Sequence, residues 1–124
     1  MDCVAIGDSI AVGVGQAAGC VLSARVSASS SYIANHVVSS DNEVAVISAG
    51  SNDPLNPSLR KNLEKIRSKI HSNRVVWILP YDRSAARIVR AVAITHGDGY
   101  IDLSDYRTRD GVHPSNYRAI ANAL

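Results

Sequence analysis

The hydrophobic pattern of the chain switches repeatedly between two periods. Cys3-Val4-Ala5-Ile6, Val21 to Val26, Val44-Ala45-Val46-Ile47, Val75 to Leu79 and Tyr100-Ile101-Asp102-Leu103 are short runs rich in Val and Ile, mostly continuous rather than alternating. Such runs predict strands covered on both faces. Between them, Leu59, Leu63, Ile66 and Ile70 recur at helical spacing after Asn56-Pro57, which read as an N-cap followed by proline at the first helical position. A second amphipathic stretch follows Ser84, with Ala85, Ile88, Val89, Val92 and His96 on one face. Segments 10–19, 31–39 and 114–124 complete the helices, and the predicted order is βαβαβαβαβα.

Strands alternating with helices predict an α/β fold: a three-layer α/β/α sandwich around a five-stranded parallel sheet with right-handed crossovers. The expected strand order is the flavodoxin-like 2-1-3-4-5. In such sheets ligands bind beyond the carboxyl ends of the strands, where the order reverses, here between the first and third strands. Function is therefore expected in the loops after Ile6, Ile47 and Leu103. No repeat, low-complexity tract or linker interrupts the pattern, so residues 1–124 read as a single domain.

Composition acts mainly by exclusion. A chain of 124 residues with 46% hydrophobic and 19% charged residues can bury roughly two-thirds of its surface, enough for a real core. Thirteen basic residues face 11 acidic ones, so bulk charge gives no reason to expect nucleic acid as a partner. The longest uncharged stretch, Ser9 to Ala24, contains Gly13, Gly15, Gln16 and Gly19 and falls short of the ~20 apolar residues of a spanning helix. Ala18-Gly19-Cys20 has the look of a lipoprotein cleavage site, but Asp2 and Asp8 precede it and no Lys or Arg does. Location stays open: the cytoplasm by default, or a larger exported or viral assembly. Cys3 opens the first strand and Cys20 comes where the first helix has returned to the same end of the sheet, so the two can be neighbours. They are read as two small buried hydrophobes. Neither stands at metal-ligand spacing with a His, and no metal or cofactor is expected.

The loops singled out by topology carry Gly7-Asp8-Ser9-Ile10, Gly50-Ser51-Asn52-Asp53 and Asp110-Gly111-Val112-His113-Pro114. Each motif alone is weak, but all three in this order would arise by chance in roughly one chain in 10⁵. The set resembles the SGNH hydrolases, also called the GDSL family, of serine esterases and lipases, and the resemblance runs from Gly7 to the last helix. It implies Ser9 as nucleophile, Asn52 as a donor to the oxyanion, and Asp110 and His113 as acid and base.

Elementary chemistry supports the same roles. A serine hydroxyl needs an adjacent base, and His113 is the only histidine in a sheet-top loop with a carboxylate three residues upstream. Asp110 would fix the ring through Nδ1 and leave Nε2 facing Ser9. The Ser9 N–H, where the first strand turns into the first helix, would face developing negative charge at a helix N-terminus, and the Asn52 amide would add a second donor. Asp8 and Asp53 are read as braces that accept loop N–H groups.

One position departs from the family pattern. The resemblance calls for a glycine N–H as third oxyanion donor in the loop after the second strand, yet residues 26–33 contain none. Ser27 or Ser31 is expected there, and a positive φ would strain either.

Connections are short and large aromatics few, which argues against a lipase tunnel and for a short acyl group, an acetyl ester on a carbohydrate above all. Tyr32, Asp53, Pro54, Tyr81, Asp82 and Tyr106 are rim candidates for an acylated small molecule or carbohydrate. An acyltransferase, or a non-catalytic glycan-binding relative, would share the same residues. A nucleotide-binding module is disfavoured: Gly13, Gly15 and Gly19 are misspaced, and no acidic residue ends the second strand to hold a ribose. Close helix packing explains those glycines better. Arg83, Arg87 and Arg90 on one helix, and Arg60, Lys61, Lys65, Arg67 and Lys69 on another, read as solvated faces, with attraction to an anionic polymer as the functional alternative.

Overall fold

The computed structural model describes residues 1–124. Its elements are β1 (Cys3–Gly7), α1 (Ser9–Ala18), β2 (Val21–Ala24), α2 (Ser30–His36), β3 (Val44–Ser48), α3 (Leu59–Arg67), β4 (Arg74–Leu79), α4 (Arg83–Thr95), β5 (Gly99–Asp102) and α5 (Tyr117–Ala121), with a 3₁₀ turn at Leu103–Asp105. The five strands are parallel in the order β2-β1-β3-β4-β5, as the alternating pattern predicts.

Two cores form because the central strands are apolar on both faces. β1 and β3 are buried throughout, and β4 from Val75 onward. One face packs Val4, Ile6, Ala45, Ile47, Val75 and Trp77 under α2, α3 and α4; the other packs Cys3, Val44, Val46 and Ile78 under α1 and α5. The edge strands differ from expectation: β2 and β5 are only half covered, since each has a neighbour on one side alone, β2 stops at Ala24, and β5 begins and ends one residue earlier than its apolar run. Helix ends shift too. Asn56 and Pro57 belong to a turn in which Asn56 Oδ1 accepts the Ser58 N–H at 2.9 Å, and α3 starts at Leu59. Pro114 does not open the last helix; it pairs with Thr108 in an isolated antiparallel bridge, and α5 starts at Tyr117 after the Asn116 cap.

The two cysteines are the clearest correction. They are not free buried thiols but a disulfide, Cys3–Cys20, with 4.8 Å between Cα atoms. The physical reason is the short return of α1, which brings residue 20 back beside the start of β1. Gly13 and Gly15 have packing roles: a Cβ on Gly15 would run into Leu22 and Ala5, and one on Gly13 would lie 2.5 Å from the Tyr117 ring. Those glycines let α1 approach the sheet and α5 closely. No helix is long and apolar enough to cross a membrane.

The basic helices are partly neutralised within the fold. Arg67 donates to both carboxylate oxygens of Asp98 at 2.8 and 3.1 Å, and the Trp77 indole N–H donates to the same carboxylate at 2.9 Å. Arg83 forks onto Asp102 at 2.9 and 3.0 Å.

Candidate active site

The site is assembled where β1 and β3 end side by side. Gly7 pairs with Ser48 across the two strands, and the Asp8 N–H donates to the Ser48 carbonyl at 3.1 Å. A Cβ on residue 7 would overlap that carbonyl, and its φ of 138° suits glycine alone, so the first residue of the Gly7-Asp8-Ser9 turn is fixed by sterics. Asp8 then caps α1, its Oδ1 accepting the Ile10 N–H at 3.1 Å. As the first residue of α1, Ser9 leaves its own N–H without an acceptor inside the helix.

Ser9 Oγ donates to His113 Nε2 at 2.9 Å, and His113 Nδ1 lies 2.8 Å from Asp110 Oδ2. With the carboxylate on Nδ1, that nitrogen carries the proton and Nε2 is the free base. The loop that presents His113 is not a helix entrance but a turn built on Asp110: its Oδ1 accepts the N–H groups of Val112 at 2.9 Å and His113 at 2.8 Å. These bonds, the one from the His113 ring first, hold the Asp110 carboxyl well below the usual carboxylate range. Thr108, which the sequence reading did not single out, completes the turn. Its hydroxyl donates to the His113 carbonyl at 2.7 Å and accepts the Gly111 N–H at 3.0 Å. A threonine two residues before the Asp of an Asx-type turn was the available signal.

Asp8 is fully buried beside the serine, and its Oδ2 has no hydrogen-bond partner. Burial pushes its pKa up to about 6. The Ser48 hydroxyl and the amides of Ile10 and Ala11 favour the ionised form and oppose that shift only in part.

Asn52 sits in the loop after β3, and its Nδ2 donates to the Ala28 carbonyl at 2.9 Å. One amide proton is thereby committed, and the other remains available. Ser27, immediately before Ala28, has φ 66°, the only positive φ outside glycine. At Ser27, one of the two positions considered for the missing glycine, the backbone thus adopts a conformation that favours glycine. Ser31 lies within α2.

The rim candidates divide. Tyr32 accepts from Arg25 Nη1 at 2.8 Å and lines a cleft between β2 and α2. The Asp53 carboxylate accepts from the Ser30 N–H at 3.0 Å, the Ser30 hydroxyl at 2.6 Å and Asn56 Nδ2 at 3.0 Å, and so joins the β3–α3 loop to α2. Tyr81 lines a second cleft of about 290 Å³ with Ser51, Pro54, Asp82 and Val112, its hydroxyl 3.1 Å from the Tyr106 carbonyl and 3.2 Å from that of Arg107. Tyr106 contributes that carbonyl, while its ring packs against the smaller core. His36 and His96 are held elsewhere, by the Tyr32 carbonyl and by Glu64. No group of three His, Cys, Asp or Glu side chains is placed to hold a metal ion.

Comparison with solved structures settles the architecture. A protein described as lipolytic, of the G-D-S-L family, from Desulfitobacterium hafniense DCB-2 superimposes with a TM-score of 0.67 at 17% identity, covering 97% of this chain and 95% of its own. The chain shares the fold of that protein. A carbohydrate acetylesterase family member from Sinorhizobium meliloti shares it, with a TM-score of 0.65 at 15% identity over 100% of this chain and 95% of that one. No family model and no curated protein matches the sequence. Within this shared fold, the Gly7-Asp8-Ser9 turn, the Asn52 loop and the Asp110–His113 turn all stand at the carboxyl edge of the sheet.

Proposed function

We propose that the chain is a serine ester hydrolase that removes short acyl groups, acetyl foremost, from a carbohydrate. The observation that carries this reading is the hydrogen-bonded series Ser9 Oγ, His113 Nε2, His113 Nδ1, Asp110 Oδ2. In the first half-reaction Ser9 Oγ attacks the ester carbonyl while His113 Nε2 takes its proton. The resulting oxyanion is met by the Ser9 N–H at the start of α1, by the free Asn52 amide proton and by the Ser27 N–H. Collapse expels the alcohol, protonated by Nε2, and leaves the acyl group on Ser9. Water then attacks with Nε2 again as base, releasing the acid and restoring the serine.

Substrate size follows from the connections. A single residue, Asp8, separates β1 from α1, and only Pro80 to Asp82 separate β4 from α4, so these loops build no lid. A small acyl group with a bulky alcohol on the open surface suits such a site, and the carbohydrate acetylesterase of the same fold agrees with that choice. The His113 and Asp110 side chains are 43% and 56% exposed. Water therefore reaches the base freely, which favours hydrolysis over transfer to a second alcohol.

The test is the rate of acid release from acetyl, butyryl and octanoyl esters by the wild type and by Ser9→Ala and His113→Ala. Acetyl is expected to be fastest, and each substitution is expected to lower turnover by at least ~10³-fold. Retained turnover in either variant overturns the mechanism.

A further inference from the structure

Beside the ester site lies a cleft with an unneutralised cation on its lip. It holds about 290 Å³ between β2 and α2, and its walls include Gly7, Leu22, Arg25, Tyr32, Ile33 and His36. Gly7 belongs to the turn that presents Ser9, so the cleft borders that turn, although neither Ser9 nor His113 lines it. Arg25 is tied to that turn as well: its backbone N–H donates to the Gly7 carbonyl at 2.9 Å.

The guanidinium is positioned in advance. Nη1 donates to the Tyr32 phenol oxygen at 2.8 Å, and the group lies over the Tyr32 ring, 5.1 Å from its centroid. Tyr32 is itself held, stacked on His36 with ring centroids 3.9 Å apart, while His36 Nδ1 lies 2.8 Å from the Tyr32 carbonyl. No carboxylate within 4 Å neutralises Arg25, whereas Arg67 and Arg83 are paired with Asp98 and Asp102. The phenol takes one of five guanidinium N–H groups and leaves the rest of the fork open. A second hollow, lined by Val26, Ser27 and Ser29, adjoins on the other side of Arg25 and Tyr32, which form the ridge between the two.

A neutral sugar could offer this fork only hydroxyl oxygens, which accept single N–H bonds and bring no opposite charge. A carboxylate would accept two parallel N–H bonds from it, in the geometry that distinguishes arginine from lysine. Resting on the ester-hydrolase reading above, we infer that Arg25 anchors a carboxylate of the substrate. The acylated sugar is then an acidic one, bearing a carboxylate on the same or the adjoining ring, seated against Leu22 and Ile33 with its ester over Ser9.

Acetylated methyl glucuronoside and acetylated methyl glucoside, which differ only in the carboxylate, provide the test. The wild type is expected to favour the acidic ester by about 10- to 100-fold in kcat/KM, chiefly through KM, because the anchor binds ground and transition states alike. Arg25→Gln removes the preference by losing the acidic ester. Arg25→Lys restores part of it, since the charge returns without the fork. Arg90→Gln is the control: Arg90 also lies over a tyrosine, Tyr100, at 5.7 Å, but within α4 and outside both clefts, and the preference persists. A wild type without preference, or an Arg25→Gln loss equal on both esters, overturns the inference. A binding arm separates this from the hydrolase reading. Free glucuronate should shift the Tyr32 and His36 NMR signals of the Ser9→Ala protein and glucose should not, and Arg25→Gln should abolish the shift. Glucuronate binding without hydrolysis of any ester refutes the hydrolase and keeps the anion site; hydrolysis with no glucuronate shift does the reverse.

Discussion

The Asn52 side chain crosses from the β3–α3 loop to donate to the Ala28 carbonyl at 2.9 Å, and so holds the segment whose preceding residue, Ser27, has a left-handed backbone. One amide thus braces a loop with one proton while the other is free for an oxyanion. Asn52→Ala is expected to lower kcat by ~10²–10³-fold. It also leaves the carbonyl of buried Ala28 unpaired, at about 1 kcal/mol of stability. Acetyl-ester kinetics and urea denaturation on the same variant separate the two effects. A stability loss with unchanged kcat assigns Asn52 to the loop alone.

Ser27→Gly should be stabilising. A serine at φ 66° carries the steric penalty of the left-handed region, and glycine does not. The gain is about 1 kcal/mol after allowing for the more flexible unfolded chain, and ester turnover is retained because the N–H survives. A fall in melting temperature contradicts the account of this loop.

Asp8 gives the fold an unusual pH dependence. Its pKa is raised from 3.8 to about 6 by burial, so the folded chain holds this proton more tightly than the unfolded one. That contribution is complete below about pH 4 and is lost as pH rises through about 6. The carboxyls of Asp82 and Asp110, held below their usual range by hydrogen bonds, act in the opposite sense: their contribution is present above about pH 4 and lost on acidification. Asp8→Asn keeps a competent cap and removes the ionisation. Its stability relative to wild type should rise by up to about 3 kcal/mol between pH 4 and 7, read from denaturant midpoints. A difference independent of pH contradicts the assignment.

The disulfide closes a segment with a sequence separation of 17, from the start of β1 to the end of α1, at the edge of the sheet opposite Ser9. Reduction, or the Cys3→Ala/Cys20→Ala double variant, should cost about 3 kcal/mol and lower the melting temperature by roughly 10 °C. Turnover at 25 °C should stay within twofold. An unchanged melting temperature would mean that the bond adds no stability.

Much of this was legible from the sequence for identifiable reasons. Val44 to Ile47 and Val75 to Leu79 are central strands, so their continuous apolar runs declare themselves. Val21 to Val26 overstates β2 because sequence does not reveal which strand lies at an edge: Val21 and Leu22 are exposed, and pairing with β1 ends at Ala24. Ser9, Asp110 and His113 stand out through residue type and spacing, but Pro114 pointed to a helix where an Asx turn and a Thr108 bridge do the positioning. The Cys3–Cys20 bond depends on how far α1 returns along the sheet, which periodicity leaves unspecified. Arg25 gave no signal at all, because its contact with Tyr32 exists only once β2 and α2 face each other.

The central claim is that Ser9, activated by His113, carries the acyl group. Reaction with a serine-directed phosphonate, followed by peptide mass spectrometry, tests it most directly. The account predicts one phosphonyl group per chain, on Ser9, with loss of acetyl-ester hydrolysis and no labelling of Ser9→Ala or His113→Ala. Labelling of a different residue, or full ester hydrolysis by a protein phosphonylated at Ser9, would contradict it.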